Sequence, residues 1–274
     1  MLTFPCAKIN IGLNIVSRRP DGYHNLQSVF YPVPLSDTLE IEEWEPADGP
    51  CQFRQIGRKI DGNPSDNLVV KAFEQMREEF ALPAIDIFLD KRIPMGAGLG
   101  GGSSDAASMV KLLNEKFELN LSDAEMEARV SQLGADCAFF IKARPMWVTG
   151  IGTQMAPINF SLRGWHLLLV KPEVSVPTAE AYRYVEVREP ASDLRADVHL
   201  PVENWRGRVK NDFEESVFKQ YPQILAIKET LYDMGAAYAS MSGSGSSVFG
   251  LFRDGVPSTA CFADCFTYTA ELLV

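Results

Sequence analysis

Pro94-Met95-Gly96-Ala97-Gly98-Leu99-Gly100-Gly101-Gly102-Ser103-Ser104-Asp105-Ala106-Ala107 is the stretch on which the fold reading turns. Before it, Ile85, Ile87 and Leu89 alternate with Asp86, Phe88 and Asp90, the period of a half-buried strand. Pro94 should end that strand, because proline has no N–H to give a ladder. After it, Ala106, Met109, Val110, Leu113 and Phe117 recur at three- and four-residue spacing, which predicts a helix beginning near Ser103 or Ser104. The unit is strand, glycine loop, helix. Five glycines let the backbone approach a ligand closely and turn N–H groups inward, and the helix adds the positive end of its dipole. Polyphosphate is the natural occupant, with the Ser103 and Ser104 hydroxyls able to donate to phosphate or reach magnesium.

Other glycine patterns fit less well. A P-loop needs a lysine after its last glycine, and this loop has none. Gly96, Gly98 and Gly101 do satisfy Gly-x-Gly-x-x-Gly, so dinucleotide binding stays open, although that fingerprint wants a strand running directly into the turn and Pro94 intervenes. A turn that merely lets a helix pack closely explains one or two glycines but not five followed by paired serines.

The 274 residues are enough for two domains with cores of their own, and a formal charge of −10 is the wrong sign for a phosphate-backbone binder. No nucleic-acid partner is expected. Five scattered cysteines without a Cys-x-x-Cys pair indicate neither a disulfide framework nor zinc, and three dispersed histidines do not make an imidazole metal centre. The reading is of a cytoplasmic protein with no membrane partner, since no apolar run reaches bilayer length. Ser122 and Glu125 form a capping box ahead of Met126, Val130 and Leu133, with Gly134 as the stop. Later, Trp165 to Val170 reads as a buried strand, Ile224 to Met234 as a helix closed by Gly235, and Ser242 to Ser247 as a second glycine and serine turn before the strand-like Val248 to Phe252. The Gly150-Ile151-Gly152 turn places a domain boundary near residue 150, giving domains 1–150 and 151–274.

Two further motifs stand in order with the loop: Ala7-Lys8-Ile9-Asn10-Ile11-Gly12-Leu13 near the start, and Met241-Ser242-Gly243-Ser244-Gly245-Ser246-Ser247-Val248-Phe249 near the end. Together the three resemble the motifs of the GHMP kinases, the superfamily of galactokinase, homoserine kinase, mevalonate kinase and phosphomevalonate kinase. The resemblance implies a two-domain α+β fold with the active site in the interdomain cleft, and an N-terminal domain that contains a left-handed crossover. It implies ATP and Mg2+ as cofactors. It assigns ATP binding to Pro94, Gly96, Gly98, Leu99, Gly100, Gly101, Gly102, Ser103 and Ser104, with Asn67 on the nucleotide side or, equally, as the cap of the following helix. No acidic magnesium ligand can be placed; Ser104 is a candidate contact.

Arg19-Pro20-Asp21-Gly22-Tyr23-His24-Asn25-Leu26-Gln27-Ser28, Gly134-Ala135-Asp136-Cys137, Val174-Ser175-Val176-Pro177-Thr178 and Asn211-Asp212-Phe213-Glu214 are similar to the branch that phosphorylates cytidine diphosphate methylerythritol. That resemblance makes Asp136 the general base, where the residues alone favour a helix cap. It makes Lys8 the cation that holds Asp136 ionised, against an edge-strand lysine that discourages aggregation. Tyr23, His24, Phe30, Thr178, Tyr182 and Asn10 become substrate contacts, His24 by hydrogen bonds to cytosine, Tyr23 and Tyr182 by stacking. Turn and core roles are the bland alternatives. Ala138 stands where the family usually has proline, and Glu173 where many members have a small residue. Another GHMP kinase, or a non-catalytic ATP and ligand sensor on the same fold, are the rival readings.

Overall fold

A computed structural model describes residues 1–45, 49–60 and 62–274. In chain order the strands are β1 (Leu2–Thr3), β2 (Cys6–Arg18), β3 (His24–Ser36), β4 (Thr38–Glu43), β5 (Cys51–Gly57), β6 (Ile85–Lys91), β7 (Met146–Thr149), β8 (Gln154–Pro157), β9 (His166–Lys171), β10 (Tyr238–Met241), β11 (Val248–Phe252) and β12 (Phe266–Glu271). The helices are α1 (Leu68–Phe80), α2 (Gly101–Lys116), α3 (Asp123–Val130), α4 (Phe139–Lys142), α5 (Thr178–Tyr184), α6 (Leu194–Asp197), α7 (Phe213–Gln220) and α8 (Pro222–Asp233). Two compact units divide the chain, and each is assembled from several segments. One comprises Met1–Ala7, Leu35–Met95 and Gly100–Ala143; the other Lys8–Pro34, Gly96–Leu99 and Arg144–Val274. Among the described residues no helix is long and apolar enough to cross a membrane.

The first unit holds a sheet of order β1-β4-β6-β5, with β4 and β6 antiparallel, and β5 and β6 parallel in the register Cys51↔Ile85 to Gly57↔Lys91. A parallel pair needs a crossover, and α1 supplies it. The alternation in β6 is realised: Ile85, Ile87 and Leu89 are fully buried. Asn67 fixes the start of α1 by accepting the Val69 N–H at 2.9 Å, and Ala81 ends it in the left-handed region at φ 50°. α2 packs along α1 and buries Ala106, Met109, Val110 and Leu113, as its periodicity predicts.

Two helix bounds differ from the sequence reading. α2 begins at Gly101, not near Ser103 or Ser104, because Gly100 at φ 70° ends the loop and serves as N-cap. Glycine is a poor helix former, but here packing decides: a Cβ on Gly101 would sit 2.9 Å from Ile93 Cγ2 and 3.0 Å from Lys91 Nζ. α3 has both halves of the capping box between Ser122 and Glu125, yet stops at Val130. Beyond it the chain tightens into i→i+3 bonds, Gln132 to Arg129 and Leu133 to Val130, so Leu133 lies in a turn.

The second unit contains two sheets, β2-β3-β7-β8 and β10-β11-β9-β12. In the latter every pair is antiparallel, and central β11 is buried throughout. α8 covers it with Ile224, Ile227 and Leu231 and is followed by Gly235 at φ 96°. The core also takes in Trp205, which meets Tyr238 edge-on at 5.2 Å between ring centroids.

Candidate active site

In the second unit, three stretches distant in sequence meet at the loop. The Lys8 N–H donates to the Leu99 carbonyl at 2.9 Å, the Ser242 hydroxyl to the Gly98 carbonyl at 2.9 Å, and the Ser247 N–H to the Ala97 carbonyl at 3.3 Å. Three successive loop acceptors are thus occupied by the first and third motifs, a physical reason for those motifs to occur together. Gly98 has φ 75°, and a Cβ there would collide with the Ser242 carbonyl oxygen, so no other residue fits. Asn211 ties the third motif down by donating to the Met241 and Gly243 carbonyls, both at 2.8 Å, while the Met241 N–H reaches Glu214 Oε1 at 2.8 Å.

Lys8 and Asn10 are both buried on β2. Lys8 Nζ donates to Asn10 Oδ1 at 2.6 Å and lies 4.5 Å from the centroid of the Phe30 ring. A buried ammonium without such partners would be costly, and a desolvated cation over an aromatic face gains about 2 kcal/mol. Lys8 is therefore an interior lysine and not an exposed edge lysine. Phe30, 3% exposed, supports it from below.

The aromatic set is partly assembled. His24 and Tyr182 stack with centroids 5.2 Å apart at 25°, and Phe213 meets Tyr182 edge-on at 4.8 Å. Burial, aided by the nearby Arg18, pushes the His24 imidazole below its ordinary value, so it is neutral at neutral pH and presents one donor and one acceptor. Tyr23 stands apart with 62% of its surface exposed, in a turn whose backbone is fixed by the Asp21 carboxylate. Thr178 is exposed at the start of α5, its hydroxyl 3.2 Å from that of Ser244. A cavity of about 740 Å³ on the same unit, bordered by Asn14, Tyr184, Arg188, Arg208 and Asp212, contains none of the residues expected in the site.

The first unit carries the remaining candidates. Gly101, Gly102 and Ser103 open α2, and their N–H groups have no intrahelical acceptor; the first such bond is Ser104 N–H to the Gly100 carbonyl at 2.9 Å. Ser104 is buried, Ser103 half-buried beside Cys137. Pro94 is buried, and Asn67 performs the capping role that the sequence left open. Asp136 lies half-buried in the turn between α3 and α4. The N-cap position of α4 is Ala138, two residues after Asp136. Beneath α2, Lys91 pairs with Asp37 and Asp105, all three nearly inaccessible. This buried cluster, Phe213 and the stapling role of Asn211 escaped the sequence reading, although residues 211–214 were already a recognisable motif.

The model of the GHMP kinases N terminal domain matches residues 67–144, and that of the GHMP kinases C terminal matches residues 200–261. The fold and the gathered motifs are those of a GHMP kinase. Two curated relatives, both 4-diphosphocytidyl-2-C-methyl-D-erythritol kinases, come from Bacteroides fragilis and Bacteroides thetaiotaomicron; each is 52% identical over 99% of this chain and 100% of its own. The crystal structure of a 4-(cytidine 5'-diphospho)-2C-methyl-D-erythritol kinase superposes with a TM-score of 0.79 at 29% identity, covering 99% of each chain. The chain belongs to the 4-diphosphocytidyl-2-C-methyl-D-erythritol kinase family of the GHMP kinases.

Proposed function

We propose that this protein transfers the γ-phosphoryl group of ATP to the 2-hydroxyl of 4-diphosphocytidyl-2-C-methyl-D-erythritol, in the methylerythritol phosphate route to isoprenoid precursors. The observation that carries the reading is the buried Lys8–Asn10–Phe30 cluster on a strand bonded to the glycine loop. A neutral His24 stacked on Tyr182 supports the cytidine specificity. A division near residue 150 is compatible with the two matched regions, 67–144 and 200–261, while the compact units differ from it by placing residues 8–34 and 96–99 with the second.

In this reading the N–H groups at the start of α2 and the loop bind the phosphates, and Asp136 takes the proton of the attacking hydroxyl. Lys8 holds the carboxylate ionised and offsets charge on the alkoxide. Phosphoryl transfer needs positioning and charge stabilisation more than covalent help from the protein, which suits a site built from backbone donors and one cation. Cytosine is recognised by hydrogen bonds to His24 and by the face of Tyr182. Two rings 5.2 Å apart leave no room for a base between them, so the cytosine stacks after they part or against an outer face. Tyr23, Asn10 and Thr178 complete the substrate contacts.

Among the described residues no group of three or more His, Cys, Asp and Glu side chains gathers, so the donors do not fit a caged ion. They fit magnesium that enters with ATP, keeps phosphate and water oxygens, and takes at most the Ser103 or Ser104 hydroxyl from the chain. Bound there, it would neutralise charge on the phosphates. The partners are these small molecules, in the cytoplasm, with no nucleic-acid or membrane partner.

The test is ADP release with ATP, magnesium and the cytidine compound, run beside mevalonate, homoserine and galactose. Turnover with the cytidine compound alone is expected. Turnover with another alcohol would sink the cytosine assignment, and binding of ATP and ligand without turnover would favour a sensor.

A further inference from the structure

Ser28 is fully buried in β3; it closes the Arg19–Ser28 motif, but the reading above gives it no contact with nucleotide or substrate. Its hydroxyl has one proton, and the Gly12 carbonyl takes it at 2.6 Å. The oxygen is left as an acceptor, and Asn10 Nδ2 donates to it at 3.0 Å. A carboxamide has one donor end and one acceptor end, so holding the amino group against Ser28 turns the Asn10 carbonyl oxygen toward Lys8. Lys8 Nζ completes the series by donating to that oxygen at 2.6 Å.

Every proton in this series points the same way, from Lys8 to Asn10 to Ser28 to the backbone of Gly12. Reversing the Asn10 amide would set an amino group against an ammonium, donor against donor, in a buried site where an unmade hydrogen bond is costly. β2 and β3 are neighbours in the sheet, and residues two apart on a strand share a face. Ser28 and Phe30 therefore act as a pair on Asn10 and Lys8: one sets the polarity of the amide, the other supports the ammonium from 4.5 Å.

We propose that Ser28 is a positioning residue for the phosphoryl transfer, fixing the Asn10 amide and through it the aim of the Lys8 ammonium; the proposal rests on Lys8 acting in turnover as read above. A serine that only filled space would contribute to stability and leave turnover alone.

The experiment is steady-state kinetics, with ATP and the cytidine compound, on Ser28→Ala, Ser28→Thr, Lys8→Met and the Ser28→Ala/Lys8→Met double variant, with melting temperatures for each. Ser28→Ala should lower kcat about 10- to 100-fold, the scale of a misplaced reacting group, and leave the KM for ATP near the wild-type value. Ser28→Thr, which keeps both the donor and the acceptor, should recover most of kcat. In the Lys8→Met background the Ser28→Ala loss should vanish. Should the alanine variant not fold, Ser28→Cys keeps the volume while weakening both hydrogen bonds and carries the same expectation. Wild-type kcat in Ser28→Ala while Lys8→Met is inactive would overturn the positioning role alone, as would an undiminished Ser28→Ala loss in the Lys8→Met background. Wild-type turnover in Lys8→Met would overturn the reading of Lys8 and the proposal with it.

Discussion

Asp105 and Lys91 form an ion pair of 2.6 Å beneath the first turns of α2, and Lys91 pairs at the same time with Asp37. Two carboxylates share one ammonium in a site closed to water. Asp37 is the better satisfied, because the N–H groups of Arg92 and Ile93 also donate to it, whereas Asp105 Oδ1 has no partner among the described residues.

The imbalance makes the two aspartates respond oppositely to substitution. Burial pushes the Asp105 carboxyl up to about 7, with the Lys91 ammonium opposing and Asp37 adding to the rise. A folded value above the unfolded one means that the group's contribution to stability is full below the ordinary carboxylate range and is lost as pH rises toward 7. Asp105→Asn should therefore gain on wild type in melting temperature as pH is raised from about 5 to about 8. Asp37→Asn sets an NH2 against either the Lys91 ammonium or the Arg92 and Ile93 N–H donors and leaves the ammonium with Asp105 as its one carboxylate of the two, and should cost about 3–5 kcal/mol. Urea unfolding of both variants across that pH range checks the pair.

Gly102 can be separated from the other glycines of the loop. Gly96, Gly98 and Gly100 have positive φ, and Gly101 is packed against Ile93 and Lys91. Gly102 has neither constraint: a Cβ there would meet only Leu68 Cδ1, at 3.8 Å. Folding does not require glycine at this position, which leaves close approach of phosphate as the reason for it. Gly102→Ala should keep or slightly raise the melting temperature, since alanine favours helix by about 1 kcal/mol, while the KM for ATP rises about tenfold or more. An unchanged KM for ATP would move the phosphates elsewhere.

Asp136→Asn should lower kcat by roughly 10²–10⁴, the range for loss of a general base, with ATP and substrate still bound. Isothermal titration of the variant with each ligand separates that outcome from misfolding, in which binding is lost as well.

Removing the ring of Tyr182 should weaken the cytidine substrate by about 1–3 kcal/mol while leaving ATP alone. His24 adds a pH signature. Its imidazole is held below the ordinary histidine value, so substrate KM should stay level through neutrality and rise only in more acidic solution, as the acceptor nitrogen takes a proton. His24→Gln should remove that acidic rise, which the KM measured against pH would reveal.

Periodicity and turn chemistry made much of the fold legible. The alternation in β6, the apolar stripe of α2 and the capping box of α3 each depend on neighbours in sequence, and each is present. The start of α2 was not legible, because Gly101 becomes helical where it packs against Lys91 and Ile93, against its propensity, and the end of α3 was not, because the chain tightens into i→i+3 bonds after Val130. For the candidate site, residue types and order pointed to the loop, while Lys8 and the His24 and Tyr182 rings were reached only through the resemblance to the GHMP kinases. Phe213, Ser28 and the Lys91 cluster were hidden because their partners stand from 14 to almost 60 residues away, where no local pattern records a contact.

The Ala97, Gly98 and Leu99 carbonyls are bonded to Ser247, Ser242 and Lys8. For protein engineering this means the glycine loop is not a portable cassette. A chimera that grafts residues 94–107 into a related kinase without the matching serine turn and first strand would carry acceptors with no assigned donors, and its loop would have to order itself afresh each time ATP arrived.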